Sequence, residues 1–337
     1  MKTIESPRIS QSLTMTSLIA AMRQTYAKPA SVPQRQVLPL AADSHDALAL
    51  LPAWNDELIA VKTFTYFPGN GDQGKDVLAS RLLAFRRSDG APLASMDAKV
   101  LTYWRTAAAS ALAADYLARK ESKTLLICGT GRLAPYFAWA YAAIRPIERV
   151  IVWGRDAAKA ANAAERIVHG DEYQRLPSER QFSVSIVTDI EQGIQAADII
   201  SCVTGSLEPL ILGEQVKPGT HVDLVGNHHR QHRECDSELV LRSRVYVDSR
   251  INVLAEAGEL LIPIAEQIFS PEQIVADLPQ LCGAELSTKT SPKTSQSADL
   301  GRTDPESITL YKSVGSALAD LVAAQVVLTN LAQVELG

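Results

Sequence analysis

The sequence predicts an α/β protein: a doubly wound parallel sheet plus a discontinuous α+β domain drawn from both ends of the chain. Three observations predict it. From Lys123 onward, apolar strand-like runs alternate with helical periods, the texture of a parallel sheet with crossover helices. The first of those runs ends in a glycine turn, Gly129-Thr130-Gly131. Residues 1–115 instead string short strands together with Gly, Pro and Asp between them, and a long apolar helix closes the chain. At roughly 150 residues per domain, 337 residues suit two domains.

Taken in order, Ser12 to Tyr26 reads as a helix, because Leu13, Leu18, Ile19 and Met22 fall on one side. Strands follow at Gln36–Leu40, Ala47–Trp54, Leu58–Phe64, Val77–Arg86 and Ala91–Asp97, and their spacing suggests an antiparallel sheet. Arg105 to Arg119 is an alanine-rich helix. Lys123 then opens a buried strand, followed by a helix over Ala134–Ile144, a strand over Arg149–Trp153, a helix over Ala157–Val168 and a strand over Ser183–Thr188. Asp198–Thr204, His221–Val225 and Arg244–Asp248 are further apolar runs. Thr288 to Asp304, rich in Ser, Thr, Lys and Gly, reads as a loop. The final helix, Val314–Val334, is expected to return to the first domain, where its apolar surface can be buried. The expected division is therefore 1–115 with 306–337, for substrate binding and dimerisation, and 116–305 for a nucleotide.

Composition narrows the function. The 33 Lys and Arg against 38 Asp and Glu give a formal charge of −5, which offers no bulk field for nucleic acid. No apolar run reaches the roughly 18 residues that span a bilayer. Met1 to Gln11 carries Lys2, Glu5 and Arg8 without an apolar stretch behind it, so no secretory signal is read there and a cytoplasmic enzyme is expected. The four cysteines form no CxxC pair, and Cys128 and Cys202 lie in apolar runs as inert thiols.

The glycine turn carries the first chemistry. Gly129-Thr130-Gly131-Arg132-Leu133-Ala134 is a GxGxxA pattern between a strand and a helix, which is the context of a Rossmann-type dinucleotide site. Its first glycine permits the tight turn, its second lets the backbone approach a pyrophosphate, and Ala134 keeps helix and strand close. An NAD site commonly ends its second strand in Asp or Glu; this one ends Trp153-Gly154-Arg155-Asp156. A guanidinium pairs with a 2′-phosphate, so NADPH is the expected cofactor, with NADH the alternative in which Asp156 binds the ribose. Thr204, after a later strand, is expected to line the same groove.

The chain resembles the ornithine cyclodeaminase/mu-crystallin family of NAD(P)-dependent imine and amino acid enzymes. The resemblance runs over most of the chain. It rests on Val61-Lys62-Thr63, on Phe67-Pro68-Gly69-Asn70, and on Leu101-Thr102 with Arg105-Thr106-Ala107-Ala108. The glycine turn and Ile308 to Gly315, which ends in Ser313-Val314-Gly315, complete it. It implies that Arg35, Lys62 and Arg105 hold a substrate carboxylate. An apolar strand around Lys62 and an apolar helix around Arg105 agree with this, since a buried cation needs an anionic partner. The resemblance further implies Thr102 and Thr106 near the cofactor phosphates or nicotinamide ribose, and a homodimer; Ser313 is expected at the cofactor, and Gly315 reads as opening a helix whose N–H groups face the substrate or the nicotinamide.

The sequence departs from the family at one informative place. Cyclodeaminases carry a basic Asp in a G-x-D-x-P-G-K-x-E stretch; here it reads Gly226-Asn227-His228 through Glu234, and His228 replaces the Asp. Losing the carboxylate weakens the ammonia-releasing half of that chemistry and leaves the reduction of a cyclic C=N bearing a carboxylate. An imidazole supplies a proton near neutral pH, so His228 is the candidate general acid. His229 and His232 read as exposed loop residues. No ligand spacing beyond the adjacent Glu234 and Cys235 accompanies the three histidines, so no metal is expected. The expected reaction is NAD(P)H-dependent reduction of a small cyclic imino acid, Δ1-pyrroline-2-carboxylate to L-proline or Δ1-piperideine-2-carboxylate to L-pipecolate. Ornithine cyclodeaminase, an alanine- or opine-type dehydrogenase, and a non-catalytic NADPH-binding protein are the alternatives.

Overall fold

Alternating apolar residues in the N-terminal strands give a sheet with one closed face. The computed structural model describes residues 1–41, 44–290 and 300–336. The chain divides into two compact units, Met1–Thr106 with Ser316–Gly337, and Ala107–Gly315. The breaks at 106 and 315 replace those expected at 115 and 305.

The first unit opens with β1 (Lys2–Ile4), α1 (Ser6–Gln11) and α2 (Met15–Tyr26). The last begins three residues after its expected start because Thr14 caps it, accepting from the Ser17 N–H. Then come β2 (Gln36–Pro39), β3 (Ala47–Trp54), β4 (Leu58–Tyr66), β5 (Leu78–Arg86) and β6 (Pro92–Asp97). The meander β2 to β6 is antiparallel, as the spacing predicts, but β1 adds a parallel edge beside β6. The period-two burial of β3 and β4 puts Ala49, Leu51, Ala53, Ala60 and Lys62 on the closed face. Leu50, Ile59, Val61 and Leu83 take the opposite, half-buried face. The helix α3 (Ala98–Leu117) starts seven residues before Arg105 and runs on past the unit boundary at Thr106.

The second unit contains β7 (Thr124–Cys128), α4 (Leu133–Ile144), β8 (Arg149–Trp153), α5 (Ala157–Val168), α6 (Asp171–Gln174) and β9 (Ser183–Val187). It continues through α7 (Ile190–Ala196), β10 (Ile199–Cys202), β11 (His221–Leu224), α8 (Ser237–Arg242) and β12 (Ser243–Val247). It ends with α9 (Arg250–Glu256), α10 (Gly258–Ala265), β13 (Ile274–Asp277), α11 (Leu278–Thr290) and β14 (Ile308–Lys312). All its strands pair in parallel, in the order β13-β12-β14-β11-β10-β7-β8-β9. Every residue of β7, β10, β11 and β14 is buried, as in a sheet covered on both faces. Because β14 lies between β11 and β12, residues 306–315 belong to this unit and not to the first. Thr288 to Thr290, expected in a loop, end α11, and 291–299 of that stretch lie outside the described residues.

The chain closes with α12 (Ala317–Leu336), which packs on β3, β4 and α2 of the first unit, as its apolar content requires.

Candidate active site

Strand order reverses between β7 and β10, and in open α/β sheets that switch point opens a crevice at the strands' C-terminal ends. A cavity of about 350 Å³ lies there, lined by Gly129, Thr130, Gly131, Gly154 and Arg155 on one side and by Val203 to Ser206 on the other. Gly129 has φ +133°, and a Cβ there would come within 2.9 Å of Val203. Nothing lies within 4 Å of a Cβ built on Gly131, so the backbone there is open to close approach by a ligand.

The first N–H groups of α4 have no side-chain cap, since Arg132 stands at the N-cap without one. An uncapped helix start after a glycine turn is a natural anion cradle, and the N–H groups of Arg132, Leu133 and Ala134, ahead of Pro135 which has none, fit a dinucleotide pyrophosphate. Leu133 and Ala134 open that helix, with Ala134 fully buried against the sheet. Arg166, which sequence reasoning missed, donates to the carbonyls of Thr130 (2.7 Å) and Gly131 (3.1 Å) and holds the turn from α5. Arg155 is exposed on the rim of the cavity. Asp156 caps α5 through one oxygen, Oδ1, which accepts from Ala158 N–H (2.9 Å) and Lys159 N–H (3.1 Å).

At the far strand ends, Asp248 gathers the turn before α12. Its Oδ2 accepts from Ser313 Oγ (2.8 Å), Val314 N–H (3.1 Å) and Gly315 N–H (2.7 Å). The Gly315 N–H expected to face substrate is therefore spent inside the protein, and the helix it was expected to open starts at Ala317. Burial pushes the Asp248 carboxyl up. Two further residues fix the loop after β11. Gly226 N–H donates to Glu234 Oε2 (2.8 Å), and the Asn227 carbonyl accepts from Lys312 Nζ (2.7 Å). His228 follows them, exposed and stacked on His229 at 4.9 Å between ring centroids, with His229 against His232 at the same separation. Among the described residues, no group of three or more His, Cys, Asp or Glu could hold a metal. All four cysteines are buried and none is in a disulfide.

The second cluster lies in the first unit, on the closed face of its sheet. Lys62 (5% exposed), Arg105 (8%) and Asp320 (1%) meet there. Lys62 Nζ lies 2.9 Å from Asp320 Oδ2 and 3.1 Å from Oδ1, and Arg105 Nε donates to Oδ1 at 3.0 Å. Lys62 also donates to Thr102 Oγ1 (3.4 Å), and Thr106 Oγ1 donates back to the Thr102 carbonyl (2.6 Å). The partner of the two cations, Asp320 on α12, escapes sequence reading because an Asp in an apolar helix looks like a solvent-facing residue. Two cations share one carboxylate, so the cluster keeps a surplus positive charge. Burial lowers the Lys62 pKa to about 8, with Arg105 and Arg35 pressing the same way and Asp320 opposing them. Arg35, half-buried, thus adds its field to the cluster. A dry site with net positive charge and a planar guanidinium suits a small carboxylate.

A family model for the ornithine cyclodeaminase/mu-crystallin family matches residues 2–335. The chain belongs to that family. It is 43% identical over 337 residues to a Delta(1)-pyrroline-2-carboxylate reductase of Colwellia psychrerythraea, covering 98% of this chain and all of that one. A reductase of the same name from Paracoccus denitrificans is 36% identical over 81% of this chain and 79% of its own. The solved Delta(1)-pyrroline-2-carboxylate reductase of Thermococcus litoralis, in complex with NADH and L-proline, superposes with a TM-score of 0.85. It is 28% identical and covers 99% of this chain and 98% of its own. Within the ornithine cyclodeaminase/mu-crystallin family this chain keeps the expected Rossmann-type sheet. Among its described residues no helix is long and apolar enough to cross a membrane.

Proposed function

We propose that this chain reduces Δ1-pyrroline-2-carboxylate to L-proline with a reduced nicotinamide nucleotide, with the six-membered Δ1-piperideine-2-carboxylate as a second substrate. The observation that carries the reading is the buried pair Lys62 and Arg105, which share the single carboxylate of Asp320 and leave one positive charge for an acid group. The 43% identity to the Colwellia reductase along the whole chain supports the same reaction.

In this reading Arg105 grips the substrate carboxylate through its guanidinium, while Lys62 and Arg35 supply field and a further donor. Thr102, Thr106, Thr204 and Ser313 are assigned to the cofactor in the same reading. A bound reduced nicotinamide supplies the hydride. His228 holds the proton for the imine nitrogen, because a protonated C=N accepts hydride far more readily. Gly315 contributes shape rather than an N–H.

NADPH is the preferred cofactor here, with NADH usable. Two features support that preference: Arg155 is exposed on the cavity rim with a guanidinium suited to a 2′-phosphate, and Asp156 already commits one carboxylate oxygen to capping α5. The protein acts as a cytoplasmic homodimer. Leu50, Ile59, Val61, Leu83 and Phe85 form an apolar sheet face left half-buried in one chain, the kind of surface a second copy covers.

The test is a panel of cyclic imino acids and L-amino acids, assayed with NADH, NADPH, NAD+ and NADP+, with light scattering for the dimer. Reduction of the five-membered imine with stoichiometric loss of reduced cofactor is expected. Release of ammonia from L-ornithine without added cofactor would make the chain a cyclodeaminase. Cofactor binding with no turnover of any compound would make it a binding protein.

A further inference from the structure

One buried carboxylate outside the clamp ties a loop that walls the nucleotide cavity to the loop that leads into His228. Glu234 is fully buried. Its Oε1 accepts from both the N–H and the hydroxyl of Thr204, each at 2.8 Å. Its Oε2 accepts from the Gly226 N–H at 2.8 Å. The first loop follows β10 and walls the cavity opposite the glycine turn; the second follows β11 and leads into His228. They approach so closely that a Cβ on Gly226 would overlap the backbone N and O of Thr204. Asn227 Nδ2 adds a bond to the Ser206 carbonyl (2.6 Å), so the loops are joined twice. Glu234 is itself held from below. Its N–H donates to Glu259 Oε1 (3.2 Å), and that oxygen also accepts from Lys312 Nζ (2.9 Å).

We propose that Glu234 is the positioning residue of the nucleotide pocket, fixing the Thr204–Ser206 wall and the Gly226–His228 loop as one plate, and that its ionised form is the one that grips the cofactor. The proposal rests on the reading of this cavity as a dinucleotide site. An ionised carboxylate accepts all three hydrogen bonds. A protonated one cannot keep all three: a proton on Oε2 faces the donor-only Gly226 N–H, and a proton on Oε1 has to turn the Thr204 hydroxyl round to accept while the Thr204 N–H loses its full acceptor. The groups packed around it are Glu259 from α10, Lys312 from β14, and the thiols of Cys202 and Cys235. Burial and Glu259 push the Glu234 carboxyl up to about 7, against the pull of Lys312 and of its Thr204 hydrogen bonds. Loss of grip should therefore set in as pH falls through neutrality. No histidine lines the cavity to produce that trend.

The test measures the Kd of NADH by fluorescence between about pH 6 and 8.5, for wild type and Glu234→Gln, with thermal unfolding alongside. NADH is used because its phosphates do not titrate in that range. Wild type should bind more tightly as pH rises and level off above about 7. Glu234→Gln cannot accept at both loops, so its Kd should rise about tenfold at pH 8, the weight of one lost charged hydrogen bond, and lose its pH dependence. Should the variant not fold, the wild-type curve still decides: a flat profile, or tighter binding at low pH, overturns the proposal. A folded variant with wild-type affinity, or with weakened affinity and an unchanged pH slope, also overturns it. A wild type that binds neither NADH nor NADPH overturns the dinucleotide reading, and this proposal with it.

Discussion

Replacing Asp320 with Asn removes the one anion between Lys62 and Arg105 while keeping its shape. In the folded protein the Lys62 pKa, about 8, is a balance: burial, Arg105 and Arg35 lower it, and Asp320 raises it by charge and by hydrogen bond. The variant deletes the raising contributions and leaves the lowering ones. A charged hydrogen bond contributes about 1.5–3 kcal/mol, and one pKa unit is about 1.4 kcal/mol. Lys62 should therefore lose its proton about one to two units earlier, at about pH 6–7. The assay is the inhibition constant of pyrrole-2-carboxylate, a planar acid whose ring does not titrate in this range. For wild type, inhibition should hold up to about pH 8 and weaken above it, as Lys62 becomes neutral. For Asp320→Asn the same weakening should begin one to two units lower, with binding at low pH as tight as in wild type or tighter, because no internal anion competes. Two buried cations without a full partner also cost about 3–5 kcal/mol of stability below the new pKa, so the variant should melt earlier at low pH than at high pH. The linkage has that sign because a Lys whose folded pKa is depressed destabilises where it is charged in the folded state, and the penalty fades as pH rises. A folded variant whose inhibition profile superposes on wild type would refute the carboxylate clamp.

Three further perturbations follow from the same geometry. Arg155→Ala should weaken NADPH by about tenfold or more and NADH little, as expected for one lost guanidinium–phosphate pair; equal weakening would remove the basis for NADPH preference. His228→Asn should lower turnover with a deficit that grows as pH rises beyond the range where the free imine is protonated, and an unchanged pH–rate profile would hand the proton to water. Asp223, buried with Ser110, Tyr141 and Ser201 donating to it, has its pKa raised by burial to about 6. A carboxyl raised in the folded state costs stability as pH rises from about 4 through 6. Asp223→Asn should flatten that part of the curve of melting temperature against pH, and a variant that keeps the wild-type slope would assign it to other groups.

The second unit was legible because its signals are local. The apolar run before Gly129 and the Asp156 cap before an amphipathic Ala160, Ala163, Ile167 stripe locate β7 and α5 without tertiary knowledge. The start of α3 was not, because Val100, Tyr103 and Trp104 carry β propensity that masks the helical period of the residues around them. The place of β14 was hidden for another reason. Its sequence neighbour α12 belongs to the first unit, and nothing in a single strand says which sheet it enters. Lys62 and Arg105 could be picked out as cations in apolar surroundings, but Asp320 gains meaning only from atoms more than two hundred residues away, and Glu234 from tying Gly226 to Thr204, thirty residues distant.

The route of the chain through its first unit also sets an order of assembly. Lys62 and Arg105 leave the ribosome early, whereas the carboxylate that neutralises them is 258 and 215 residues further on. Until α12 has been synthesised, the N-terminal sheet lacks both its apolar cover and its counter-charge, and closing its inner face would strand two cations in a dry interior. The nucleotide unit waits almost as long, because β14, at residues 308–312, fills the interior of its sheet between β12 and β11 and ends five residues before α12 begins, so both units close on adjacent stretches of the chain.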